Sequence, residues 1–269
     1  MYEEPYRWVE AVGNRRQYLN DQFRQGSPVI GIACDAGILL MTMSRGTPKL
    51  YEIYDRLALG GMGHPADLEK LRFNLLEMAH IEGFNRSPSD VTGSRMVKYG
   101  IAPVIKQAFE EVFKAPFIVK ILLAELGQKV GNDRFLTINF DGTFEEKSPY
   151  AVLAASAAIE QEMMAYLQRQ SVSSLEQAVS AAVSSWAIGD RAQRHMREED
   201  REQSEDKIGS ETSSTDNETL SVHLRQCLTE KSMECALLDR HVQGPSKYRS
   251  LSPNELERLL PNGLGRPAA

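Results

Sequence analysis

The chain has 269 residues, 31 Lys+Arg against 37 Asp+Glu, a net charge of -6 and a 42% apolar fraction. That length makes one large domain or two small ones and can bury a substantial core without staples. The composition excludes a wholly disordered or collagen-like chain, and the missing surplus of Lys and Arg disfavours a nucleic-acid binder.

The first predicted element is a helix over 5–24. Pro5 suits a first turn, and Trp8, Val12, Tyr18, Leu19 and Phe23 recur at three- and four-residue steps before Gly26. Two apolar runs follow, Val29–Cys34 and Ile38–Met43, split by Asp35-Ala36-Gly37. They read as a β-hairpin buried on both faces. A second strand pair covers Lys49–Ile53 and Leu57–Gly61. Helices are expected over 67–83 and 90–114, the second disturbed by Pro103. Strands are expected at Ile118–Leu126, Arg134–Phe140 and Ala151–Leu153, then helices over 156–169 and 174–193.

Residues 195–218 carry nine acids and three bases, a net of -6 that accounts for the charge of the whole chain. This segment is expected to be a flexible acidic insertion. Strands at Ser221–Gln226, Met233–Asp239 and Lys247–Arg249 and a helix over Asn254–Leu260 complete the chain. Strands in blocks and helices in pairs predict an α+β fold. It is a single domain over 1–269, a four-layer αββα sandwich of two antiparallel sheets flanked by helix pairs, with an added N-terminal helix.

Three cysteines, Cys34, Cys227 and Cys235, show no C-x-x-C spacing, so a disulfide framework is not expected and a reducing compartment is. The N-terminus has no secretory pattern and no apolar run has spanning length, which together predict a soluble cytoplasmic protein. The histidines His64, His80, His195, His223 and His241 read as scattered, without zinc-ligand spacing to another His or Cys, and no metal site is expected.

Gly61-Met62-Gly63-His64-Pro65-Ala66 satisfies a G-x-G-x-x-A pattern between a strand and a helix. A dinucleotide site also requires a parallel strand after that helix. The alternative is a tight strand-to-helix turn that needs glycine. No cofactor is expected. Signatures of P-loop proteins, α/β-hydrolases and zinc proteases are absent from the sequence.

Ser27-Pro-Val-Ile-Gly-Ile-Ala-Cys-Asp-Ala-Gly-Ile-Leu-Leu resembles the opening hairpin of 20S proteasome subunits. Lys49-Leu-Tyr-Glu-Ile-Tyr-Asp-Arg-Leu-Ala-Leu-Gly-Gly, Asp90-Val-Thr-Gly and Met233-Glu-Cys-Ala-Leu-Leu-Asp-Arg are similar to later stretches of the same family. The likeness is to the bacterial α-type subunit and covers roughly residues 5–260, leaving out the acidic insertion. It implies the fold of N-terminal-nucleophile hydrolases. It also implies a non-catalytic outer ring, a homo-heptamer of neighbouring α subunits that caps catalytic β-type subunits, gates substrate access and docks a regulatory ATPase or other activator. The complex is a threonine-type endopeptidase, with no activity in this chain and no nucleic-acid or membrane partner.

By the same resemblance, Ser27 stands where catalytic subunits carry the threonine nucleophile. Pro28 and Met43, the latter in place of the orienting acid, depart from the catalytic pattern. Lys49 matches a lysine that is catalytic in β-type subunits and pairs with an activator's C-terminal carboxylate in α-type subunits; a solvated lysine at a strand start is the plain alternative. Tyr54-Asp55-Arg56 lies too far along the chain to be an axial gate, which leaves Met1, Tyr2, Glu3 and Glu4 as gate residues. The other functional reading is a self-processing hydrolase with Ser27 as nucleophile.

Overall fold

The two long apolar runs pair as the central hairpin of a sheet. In the computed structural model, which describes residues 4–111, 113–203 and 217–260, they form β1 (Val29–Cys34) and β2 (Gly37–Ser44). Their register runs from Val29 opposite Thr42 to Cys34 opposite Gly37. Gly37 has φ 136°, and a Cβ there would lie 2.0 Å from the Leu238 carbonyl oxygen, so the turn requires glycine. All of β2 and nearly all of β1 are buried. β8 (Tyr150–Leu153) pairs with the far side of β1, β9 (Ser232–Asp239) with β2, and β10 (Tyr248–Ser250) closes that edge.

The second sheet takes its strands in chain order: β3 (Leu50–Tyr54), β4 (Leu57–Gly63), β5 (Val119–Glu125), β6 (Arg134–Ile138) and β7 (Phe144–Lys147). Every strand pairing in both sheets is antiparallel. Period-two alternation separates the faces of this sheet. Ala58, Met62, Leu122 and Ala124 join the core shared with the first sheet, whereas Leu57, Leu59, Val119, Ile121 and Leu123 face the other way. Glycine lets the sheets approach. The Phe135 ring lies against the backbone of Gly31, and the Val29 side chain against Gly60.

Helices cover both outer faces. α5 (Ala157–Gln168) and α6 (Leu175–Gln203) pack on the first sheet. α2 (Pro65–Asn85) lays Leu68, Leu71, Leu75 and Ala79 on the second, beside Val97, Ile101 and Ile105. The four αββα layers expected from the order of elements are therefore present.

α1 (Glu4–Phe23) precedes the sandwich and is anchored at its end. Leu19 and Phe23 are fully buried, and the Phe23 ring stacks on Phe140 with centroids 5.8 Å apart. Arg15 donates to the carbonyls of Ala108 and Phe109 at 3.1 Å, of Glu111 at 2.7 Å and of Lys114 at 2.6 Å. Ala108 and Phe109 lie in the last turn of α4 (Ala102–Glu110), Glu111 is its C-cap and Lys114 follows it, so the guanidinium closes the end of the helix.

The structure corrects several sequence expectations. The helix expected over 90–114 is broken into α3 (Gly93–Arg95), a π-helical turn at Met96–Ile101 and α4. Pro103 sits in the first turn of α4, and the Ala102 amide reaches back five residues to the Val97 carbonyl. The wider turn makes room for a ring that the regular ladder would exclude. The strand expected at Ser221–Gln226 is instead part of a helix, α7 (Asn217–Glu230). α6 runs ten residues past its expected end, so residues 195–203 of the acidic insertion are helical, as are 217 and 218; residues 204–216 lie outside the described ones. β7 was not anticipated. α8 (Pro253–Leu259) closes the chain behind a capping box of Ser252 and Glu255. Among the described residues no helix is long and apolar enough to cross a membrane.

Phe23→Ala is expected to cost about 3–5 kcal/mol of unfolding free energy, the range for deleting a buried aromatic ring. Urea denaturation measures it, and a loss below about 1 kcal/mol would show that α1 is not part of the core.

Candidate functional site

Ser27 begins the approach to β1 and is enclosed. Its Oγ accepts a hydrogen bond from the Trp186 indole Nε1–H at 3.0 Å, and both residues are buried. The residues on either side are held as well. Gln193 donates through Nε2 to the Gly26 carbonyl at 2.7 Å, and Thr42 donates through its hydroxyl to the Pro28 carbonyl at 2.7 Å. Met43 is fully buried and sits opposite Met233 in the β2–β9 register.

Lys49 lies half-buried immediately before β3. Its backbone N–H donates to Glu234 Oε2 at 2.9 Å. Burial lowers the pKa of the Lys49 ammonium, the Glu234 carboxylate opposes that shift, and Lys231 adds to it. The lysine therefore does have an acid beside it, contributed by β9 and not by the Met43 position. Sequence reasoning missed Glu234 because it lies 185 residues further on, and only the β2–β9 pairing brings it near.

Of the gate residues, Met1, Tyr2 and Glu3 fall outside the described residues, and Glu4 is the first residue of α1. The Gly61–Ala66 motif stands in an antiparallel setting, since β4 pairs antiparallel with both β3 and β5. Gly63 has φ 133° and a Cβ there would meet the Ile118 carbonyl at 2.0 Å, while a Cβ at Gly61 would strike Leu68. The glycines serve the strand-to-helix turn. His64 caps the helix, accepting from the Ala66 N–H at 3.3 Å.

A second polar constellation adjoins Ser27 through Trp186. On α6, residues four apart share a face, so Trp186, Asp190 and Arg194 follow one line. Lys231 Nζ lies 4.8 Å from the Trp186 ring centroid and donates to Asp190 Oδ1 at 2.7 Å. Arg194 Nε donates to Asp190 Oδ2 at 2.9 Å. His223 Nε2 lies 3.2 Å from the same oxygen, and Cys227 Sγ 3.6 Å from it. Burial would push the Asp190 carboxyl up. Hydrogen bonds from His223 and Lys231 and the Lys231 and Arg194 charges outweigh it and hold the group well below the usual carboxylate range. Burial pushes the Cys227 thiol up to about 11, helped by the Asp190 charge.

The scattered-histidine reading does not survive this geometry for His223. With His223 on the strand expected over Ser221–Gln226 and the chain extended to Cys227, the two would lie roughly 13 Å apart, whereas four residues of helix rise only about 6 Å. In α7 their side chains meet, with Nε2 and Sγ 3.5 Å apart. The trio is not a nucleophile–base–acid relay, because a relay uses both ring nitrogens and here Nε2 faces both partners.

Two stacked antiparallel sheets between helix pairs, with an enclosed serine at the head of the central hairpin, define a four-layer αββα sandwich. No protein-family model matches the chain. It is similar to the proteasome subunit alpha of a Nocardioides species, 26% identical over 259 residues, which cover 93% of this chain and 86% of that relative. Shorter matches are to the proteasome subunit alpha of Acidimicrobium ferrooxidans, 31% identical over 150 residues, and of an Arthrobacter species, 29% over 153 residues. Each covers 55% of this chain, and respectively 64% and 63% of the relative, just under two thirds. Over most of its length the chain is similar to bacterial α-type proteasome subunits.

Because Lys49 is held with a lowered pKa, its charge costs stability up to the pH where an unfolded lysine titrates, about 10.4. Lys49→Met is expected to melt at a higher temperature than wild type at pH 7, with the gap narrowing toward that pH. Calorimetry at several pH values checks this, and a lower melting temperature for the variant at pH 7 would refute it.

Proposed function

We propose that the chain is the non-catalytic α-type subunit of a 20S proteasome core particle acting in cytoplasmic protein degradation. Seven copies close a ring through head-to-tail contacts and stack on rings of catalytic β-type subunits. The ring restricts access to unfolded chains, with Met1 to Glu4 as its gate residues. Lys49 captures the C-terminal carboxylate of a regulatory ATPase or other activator, as a fixed ammonium beside a groove can do.

The observation that carries this reading is the closed nucleophile position. A self-processing hydrolase of the N-terminal-nucleophile type would have to discard residues 1–26 and use the freed Ser27 amine and hydroxyl. Here the preceding helix supplies Leu19 and Phe23 to the core, and the hydroxyl is bonded to Trp186 inside the protein. α1 also exposes Trp8, Val9 and Tyr18 by 44%, 70% and 48%, and such exposed apolar side chains support contact with another subunit.

Two measurements test the proposal. Intact-mass spectrometry is expected to return the full 30.1 kDa, and loss of residues 1–26 would replace this reading by the hydrolase. In a reconstituted particle, Lys49→Ala is expected to reduce activator-stimulated peptide hydrolysis at least about tenfold while rings still assemble, since a charged hydrogen bond is worth about 1.5–3 kcal/mol. Unchanged stimulation would remove Lys49 from docking.

A further inference from the structure

Asp190 Oδ2, His223 Nε2 and Cys227 Sγ converge on one point between α6 and α7. They lie 3.2 Å (O to N), 3.6 Å (O to S) and 3.5 Å (N to S) apart. Zinc bond lengths of about 2.0 Å to nitrogen, 2.0–2.2 Å to oxygen and 2.3 Å to sulfur, at tetrahedral angles, give ligand separations of about 3.3–3.6 Å. The three donors are thus already spaced as one face of a zinc tetrahedron. We propose that they form a binding site for a zinc-class divalent cation that clips α7 to α6.

The groups around the trio fit this role. Lys231 holds Asp190 Oδ1 at 2.7 Å, which leaves Oδ2 directed at the histidine and the thiol. Outer hydrogen bonds of this kind orient a ligating carboxylate. Arg194 is the competitor, since its Nε lies 2.9 Å from Oδ2 and its Nη2 3.1 Å from Cys227 Sγ. The guanidinium makes the bridge that an ion would make. The Arg194 side chain is 28% exposed and borders a pocket of about 240 Å³ in which Glu198 and Glu230 offer alternative carboxylate partners beside Arg45, Arg197 and Lys231. On binding, Arg194 swings into that pocket, His223 takes the tautomer with its proton on Nδ1, and the Cys227 thiol releases its proton to solvent. Water fills the fourth position. The proton release makes binding weaker as pH falls.

Cobalt(II) is the probe, because thiolate ligation gives it a near-ultraviolet charge-transfer band. The full chain, stripped with a chelator and dialysed, is expected to bind one Co²⁺ with that band, and Zn²⁺ is expected to displace it. Cys227→Ser should abolish the band and His223→Ala should weaken binding at least about tenfold, whereas Cys34→Ser and Cys235→Ser should leave both unchanged. Arg194→Met, which keeps all three ligands and removes the competitor, should bind Co²⁺ more tightly. This variant keeps the test open if Cys227→Ser fails to fold. Absence of the band at excess Co²⁺, its survival in folded Cys227→Ser, or unchanged affinity in Arg194→Met would each overturn the site. None of these readouts depends on ring assembly, so they are independent of the proposed subunit role.

Discussion

Covering both faces of the β1–β2 hairpin constrains everything near it. A central strand with helices on one side and a second sheet on the other has no solvent face, so its neighbours must also be apolar or fully bonded. Apolar burial there is worth about 25 cal/mol per Å², and it encloses Ser27. Trp186 reaches the Ser27 hydroxyl from α6, while Gln193 and Thr42 hold the carbonyls of Gly26 and Pro28. A chain fixed this closely enters β1 as a continuation of α1. Ser27 is thereby part of the buried scaffold.

Buried charge follows the same logic. Lys120 is almost wholly buried, yet it donates to the Ala154 carbonyl at 2.7 Å, lies 3.2 Å from Glu160 and stands over the Phe23 ring at 5.5 Å. One ammonium thus ties β5 to α5 and to the end of α1. Asp190 does the equivalent for α6, α7 and the residue before β9. Buried ion pairs of this kind contribute little net stability against an apolar core, but removing one partner leaves an uncompensated charge that costs about 3–5 kcal/mol. Each such group joins elements far apart in the sequence.

Much of this was legible from sequence. The apolar runs gave the central hairpin almost to the residue, and helical spacing gave α1, α2 and α5. β7 was not legible because Phe144–Lys147 is an edge strand with mostly exposed side chains and no buried face to impose a pattern. α7 was misread because Leu220, Val222 and Leu224 alternate like a strand, although Leu220, Leu224, Cys227 and Leu228 also recur at helical spacing. That error had a consequence for the site, since it separated His223 from Cys227. Ser27 and Lys49 could be placed by their positions relative to the hairpin. Glu234, Trp186 and Asp190 could not, because their relation to those residues exists only once the sheet and α6 are assembled.

The charge of -6 can be placed more closely than its sequence position alone allows. Part of it falls within α6, which runs to Gln203. The anchorage lies upstream, where Asp190 and Arg194 bind α6 to Lys231, His223 and Cys227, and where Arg197 donates to the Gln193 carbonyl at 3.1 Å. The acidic segment therefore starts at the pocket lined by Arg45, Arg194, Arg197 and Lys231, where Glu198 already stands among the bases. That first acid, Glu198, thus faces a basic surface of the same chain.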